Sequence, residues 1–220
     1  MPARLRPTAP IAADAILVGD PGRALMLAQE LLEQPKMSNH ARGLWGYTGE
    51  TPEGREMTIQ STGMGGPSAA VVVADLAELG VRRAIRVGTC TSLGNLGLGE
   101  LLVVEGAQGE LVSSRATKTP RPDSTLTAAL RERLPEARSG SVLSLDTLYR
   151  PERDLPSVLV DAADMQTAGL LASAAEHQLA VAALLIVSEK SDAGQLRDED
   201  LEEAAKRAGS AASAVLSTSG

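Results

Sequence analysis

Residues 181–187 read VAALLIV, seven apolar side chains with no polar interruption. A strand sends alternate side chains to opposite faces, so this run buries both of its faces. It therefore predicts a strand at the centre of a sheet covered on both sides. Shorter strand candidates fall at 15–18, 44–48, 56–61, 84–88, 101–104, 142–145 and 158–160. In the 56–61 stretch Met57 and Ile59 alternate with polar neighbours, and Glu53-Gly54 before it marks a hairpin turn. Between these runs the spacing predicts helices over 24–33, 68–79, 126–134, 165–178 and 198–216. Pro35 ends the first and Gly80 the second, and Asp198, Glu199 and Asp200 suit the positive end of the last. Residues 1–13 read as extended, 38–50 as a loop leading into a strand, and 108–122 as a mobile polar loop. Alternating strands and helices predict a three-layer α/β/α fold. No repeat, low-complexity tract or linker divides the chain, so residues 1–220 are expected to form a single domain.

The chain has no Phe, so its core must be built from Ala, Leu, Val and Ile. Only Trp45, Tyr47 and Tyr149 are available to stack on a ring. The formal net charge is −7 with no basic stripe, which argues against a nucleic-acid partner. Cys90 is the one cysteine, which rules out an intrachain disulfide and suits a reducing compartment. Arg4 and Arg6 near the start are not followed by an apolar signal region, and no run reaches membrane-spanning length. These features predict a cytoplasmic protein with no membrane contact.

The polar turns 19–23, 88–92, 146–149 and 188–192 each follow a strand candidate. Ligands of open α/β sheets sit beyond the carboxyl ends of strands, so these turns are expected to share one edge. Two of them carry the makings of an anion site. Arg86 precedes Gly88 and Thr89, and Arg23 closes the turn Gly19-Asp20-Pro21-Gly22-Arg23. Upstream, Gly63-Met64-Gly65-Gly66-Pro67-Ser68 opens a helix pattern. Glycines let backbone N–H groups converge, a helix N-terminus adds positive potential, and a guanidinium grips a phosphate through paired hydrogen bonds. The plainer alternative is a tight turn with an ion-paired arginine, and local pattern leaves both open.

The larger motifs resemble the nucleoside phosphorylase family, which holds the hexameric purine nucleoside phosphorylases and the uridine phosphorylases. GDPGR at 19–23, SNHARGLWGYTG at 38–49, STGMGG at 61–66 and RVGTC at 86–90 follow the family's order and spacing. DMQTAG at 164–169 takes the place of its EMEAAG-like segment. The resemblance spans almost the whole chain and implies the family's fold, with a mixed central sheet. It assigns phosphate binding to Gly19, Arg23, Arg86 and Thr89. It adds Arg42, contributed by a neighbouring subunit, although Arg42 alone reads as a solvated loop residue. It implies a homo-oligomer, a dimer at minimum and usually a hexamer built as a trimer of dimers. The implied reaction is pentosyl transfer. Inorganic phosphate, the co-substrate, stabilises oxocarbenium-like charge on the pentose and attacks its anomeric carbon as the base leaves. No metal or organic cofactor is expected. A covalent route through Cys90 is not expected either, because His40 and His177 lie on other segments.

The nucleoside half departs from the family. Its Glu-Met-Glu is Asp164-Met165-Gln166 here, and the last Glu normally accepts from both ribose hydroxyls. Gln166 keeps an acceptor but loses the charge. Asp164 reads equally as a cap of the following helix, with Asp161 the other candidate. Met165 reads as core on pattern alone, and as packing under the ribose by resemblance. Leu148 replaces a Phe that faces base and sugar, and Thr91 replaces a glycine, narrowing the base pocket. Ser188-Glu189 stands where the purine enzymes carry Ser-Asp, the Asp acting as acid toward the base. Glu189 or the nearby Asp192 is expected in that role, the bland reading of Glu189 being a pair with Lys190. Arg153 matches the uridine-specific arginine only with a gap. The histidine that a neighbour lends to the 5′-hydroxyl is absent, leaving Arg4 or Arg6 as substitutes. The leading expectation is a phosphate-dependent nucleoside phosphorylase with atypical base and sugar preference. The alternatives are a nucleoside hydrolase on the same fold and a non-catalytic nucleotide or sugar-phosphate binder. Three arginines kept for an anion argue against the hydrolase, since water needs no such clamp.

Overall fold

The computed structural model describes residues 4–110, 120–147, 160–190 and 193–218. The apolar run at 181–187 lies within a long strand, β9 (Ala180–Lys190), that serves both faces. Val181, Ala183, Leu185 and Val187 enter one apolar cluster, while Ala182, Leu184 and Ile186 enter the other. Strand β1 (Asp14–Val18) divides in the same way, Ala15 and Leu17 against Ile16 and Val18. The first cluster lies under helices α2 (Gly65–Glu78) and α4 (Thr167–Glu176). The second lies under α1 (Pro21–Leu31), α3 (Ser124–Arg133) and α5 (Asp198–Thr218). This is the expected α/β/α layering, built almost wholly from aliphatic side chains.

The remaining strands are β2 (Glu33–Asn39), β3 (Gly46–Glu50), β4 (Glu56–Ser61), β5 (Arg83–Ser92), β6 (Leu101–Glu110), β7 (Arg138–Leu145), β8 (Ala162–Asp164) and β10 (Gly194–Gln195). They form one mixed sheet in the order β10-β9-β6-β7-β8-β5-β1-β4-β3-β2. Strand β5 also pairs in parallel with β9 along its whole length, so β5, β9, β6, β7 and β8 close on themselves. From that closed part β1, β4, β3 and β2 run out as an open wing.

Several boundaries differ from the sequence reading. Helix α1 starts at Pro21, capped by Asp20, whose Oδ1 accepts from the Arg23 amide at 2.8 Å. Residues 33–39 form an edge strand, which its polar composition and Pro35 concealed. The expected turn at 88–92 is strand: β5 continues to Ser92, where Thr91 and Ser92 pair with Ala163 and Ala162 of β8. Of the segment expected as a loop over 108–122, residues 108–110 complete β6. Helix α4 begins at Thr167 rather than 165 because Met165 and Gln166 form a bend that links it to β8, a strand three residues long and invisible to periodicity. Among the described residues no helix is long and apolar enough to cross a membrane.

Candidate active site

Strand β5 carries Arg86 inward by the period of two. It shares the α2/α4 face with Ala84 and Cys90 and is only 4% exposed. A buried guanidinium needs partners, and the start of α4 supplies them. Arg86 Nε donates to Thr167 Oγ1 at 3.1 Å, Nη1 to Gln166 Oε1 at 2.6 Å and Nη2 to Asp164 Oδ2 at 3.1 Å. A guanidinium has five N–H groups, so one on each terminal nitrogen remains uncommitted by these bonds. Gly88 makes room for this arrangement, since a Cβ there would stand 2.6 Å from Arg86 Cζ and Nη2.

Asp164 holds the other half of the clamp. Its Oδ2 also accepts from Thr167 Oγ1 at 2.6 Å and from the Thr167 amide at 3.0 Å, and its Oδ1 accepts from Ser144 Oγ. The carboxylate thus serves the first amide of α4 and separates the positive helix end from the guanidinium. The capping alternative therefore describes Asp164, whereas Asp161 binds the Ser141 amide of β7 at 2.8 Å. Gln166 is 4% exposed and engaged on both ends of its amide. Its Oε1 takes Arg86 and also faces Thr62 Oγ1 at 3.3 Å; its Nε2 donates to the Gly63 carbonyl. Gly63 has φ 72°, and a Cβ there would meet Ser68 Oγ at 2.7 Å, so the turn requires glycine.

These groups border a cavity of about 490 Å³. Gly19, Arg23, Arg86 and Thr89 all line it, which brings together the four phosphate residues predicted within one chain. The Arg23 guanidinium forms no ion pair or hydrogen bond among the described residues. Burial depresses its pKa most, Asp20 pulls it back up, and the like charge of Arg86 lowers it further. Thr91, Asp164, Met165, Gln166, Ser188 and Glu189 line the same cavity. Met165 is half-buried and faces it rather than filling the core. Glu189 Oε2 accepts from Thr91 Oγ1 at 3.2 Å and its Oε1 from Gln195 Nε2 at 3.1 Å. Leu148, Asp192, Tyr149 and Arg153 lie outside the described residues.

Arg42 is exposed in a short 3-10 turn, Ala41–Gly43, and does not border this cavity. Arg4 does not either: its guanidinium lies 3.8 Å from Asp75 Oδ1, while the Arg4 and Leu5 amides bind Asp75 Oδ2. Trp45 and Tyr47 belong to the α1/α5 side of the core and offer the cavity no stacking face. The Cys90 thiol is pushed far up, chiefly by burial and then by the Asp164 charge, with Arg86 opposing. It donates to the Ile186 carbonyl at 3.6 Å and is no thiolate nucleophile at neutral pH. Among the described residues no group of three or more His, Cys, Asp or Glu side chains is arranged to hold a metal ion.

Sequence reasoning missed Met64, Thr62, Ser144, Thr167 and Gln195. Met64 is 79% exposed on the cavity rim, an apolar side chain at the N-cap of α2. It stands inside the glycine-rich motif, which was itself the signal. Thr167 lay inside the quoted 164–169 motif without a role being read for it, and Ser144 carried no signal, because both act on a carboxylate brought in by β8.

The family profile of the phosphorylase superfamily matches residues 14–219. A DeoD-type purine nucleoside phosphorylase of Oceanobacillus iheyensis is 32% identical over 202 residues, covering 84% of this chain and 85% of that one. Its counterpart in Caldanaerobacter subterraneus subsp. tengcongensis is 32% identical over 201 residues, covering 84% and 86%. The crystal structure of purine nucleoside phosphorylase from Toxoplasma gondii in complex with immucillin-H shares the fold, with a TM-score of 0.80 at 23% identity over 94% of this chain and 90% of that one.

Proposed function

The chain belongs to the phosphorylase superfamily, and from that premise we propose that it cleaves the N-glycosidic bond of a purine or pyrimidine nucleoside with inorganic phosphate. The products are the free base and a pentose 1-phosphate. One observation carries the reading: two arginines, Arg23 and Arg86, open into one cavity beside Gly19 and Thr89, while Glu189 borders its other part. Phosphate sits against the first group. Its charge stabilises the oxocarbenium-like pentose, and its oxygen attacks the anomeric carbon. Met165 packs under the sugar. The base lies toward Thr91 and Ser188, and Glu189 assists its departure, roles that the resemblance extends to Leu148 and to Asp192. Thr91 and the absent ring at 148 make the base preference atypical.

Arg42 completes the site of a neighbouring copy, so the working unit is at least a dimer, assembled as a hexamer in the cytoplasm. Its exposure and its absence from the lining of its own cavity support this reading. A monomer that is fully active at assay concentration would overturn it.

The decisive assay incubates the protein with a nucleoside panel, with and without inorganic phosphate, and measures free base and pentose 1-phosphate. Base release that requires phosphate is expected. Release without phosphate would make the chain a nucleoside hydrolase. Anion binding with no release would make it a binding protein.

A further inference from the structure

We propose that Gln166 positions Arg86 instead of binding a sugar diol, and that the site in consequence prefers nucleosides of 2′-deoxypentoses to ribonucleosides. The inference rests on the nucleoside reading above and names its sugar. Gln166 Oε1 has two acceptor directions. Arg86 Nη1 takes one at 2.6 Å, and Thr62 Oγ1 stands over the other at 3.3 Å and closes it to a ligand, its single hydrogen shared between Gln166 Oε1 and the Val18 carbonyl at 3.0 Å. One N–H of the amide goes to the Gly63 carbonyl. What Gln166 has left to offer is a single N–H donor and no acceptor.

The orientation is fixed by chemistry. Flipping the amide would aim Nε2 at a guanidinium and Oε1 at a carbonyl, two repulsive contacts in place of two favourable ones. Asp164 offers no replacement acceptor, since both its oxygens are taken by Arg86, Thr167 and Ser144. One donor suits one secondary hydroxyl, whose own hydrogen can go to bound phosphate. A cis-diol brings a second hydroxyl, and burying it without a partner costs free energy. A sugar with a 3′-hydroxyl alone fits this face.

The substitution Gln166→Glu tests the idea. A carboxylate has no hydrogen for the Gly63 carbonyl, so it turns away and frees an acceptor for the diol. For wild type, kcat/KM on a 2′-deoxynucleoside should exceed that on the ribonucleoside of the same base by about tenfold. Gln166→Glu should move this ratio toward ribose by roughly ten- to a hundredfold while KM for phosphate stays near wild type, because Arg86 keeps an acceptor. Gln166→Leu should instead raise KM for phosphate, the mark of a guanidinium no longer held. Equal efficiency on both sugars, a ribose preference, or an unmoved ratio in a folded Gln166→Glu protein overturns the proposal. If neither sugar is turned over with phosphate, phosphorolysis itself fails. Calorimetric affinities for the same nucleoside pair then decide the sugar preference: tighter binding of the deoxynucleoside supports it, and equal or absent binding sinks it.

Discussion

Arg86 and Arg23 reach one cavity from walls of different construction. On the β5–α4 wall, Arg86 spends three N–H groups on Thr167, Gln166 and Asp164 and is almost sealed from solvent. On the β1–α1 wall, Arg23 is half-buried, and among the described residues only its amide is tied, to the Asp20 side chain. Its pKa is lowered chiefly by burial, with Asp20 opposing and the like charge of Arg86 adding to the shift. The first arginine is part of the folded core and is preorganised. The second is left open to the cavity. The proposed phosphate site thus pairs an arginine tied into the core with one that is not, and only the first is expected to bear on stability.

The largest expected effect separates the two. Arg86→Ala leaves the Asp164 carboxylate buried without its cation, which should cost about 3–5 kcal/mol of stability and most of the activity. Arg23→Ala should raise KM for phosphate roughly ten- to a hundredfold yet leave urea unfolding within about 1 kcal/mol of wild type. Denaturant melts and phosphate kinetics on both variants check this. Equal losses of stability would erase the distinction.

Gly88→Ala sharpens it with every charge kept. The new Cβ would lie 2.6 Å from the guanidinium, which must leave its three partners or push β5. Overpacking of this kind costs about 1–3 kcal/mol. Phosphate affinity should fall with it, and Arg23 should bind no better for the change. A variant with wild-type kinetics would show that Arg86 is not held where its bonds place it.

The smallest effect lies on the same strand. Burial raises the Cys90 thiol above its ordinary value of 9.0, so its contribution to stability is complete below about pH 9. Above that the unfolded chain releases the proton and the native one does not, and stability declines by at most about 1.4 kcal/mol per pH unit. Tyr47, also raised by burial, adds to the decline only above pH 10. Cys90→Ala should flatten the first part of this alkaline limb in pH-dependent melts. An unchanged limb would mean the thiol ionises freely in the native state.

The same contrast shows what a sequence discloses. The apolar run in β9 and the Gly-Asp-Pro-Gly-Arg turn announce themselves, because burial on two faces and local turn chemistry act over a few residues. The bonds around Arg86 do not. Its partners lie about eighty positions away, and β8, which ends in Asp164 and leads into the other two, is too short to show a period. Gln166 was legible as a departure in a motif, but its occupied carbonyl depends on Thr62 and on the backbone of Gly63. Strand β2 was hidden for another reason: on the sheet's edge its residues face solvent, and polarity reads as loop.

That edge bears on how copies of the chain meet. Strand β2 carries Pro35, which lacks a backbone donor, has Gln34 at φ 45°, and breaks register with β3 twice. At the sheet's other end β10 is two residues long. Neither border offers a row of evenly spaced donors and acceptors on which a foreign strand can grow. Crowded in a cell or concentrated in a tube, the molecule gives little template for runaway cross-chain ladders. What association there is falls to side chains rather than to shared backbone ladders.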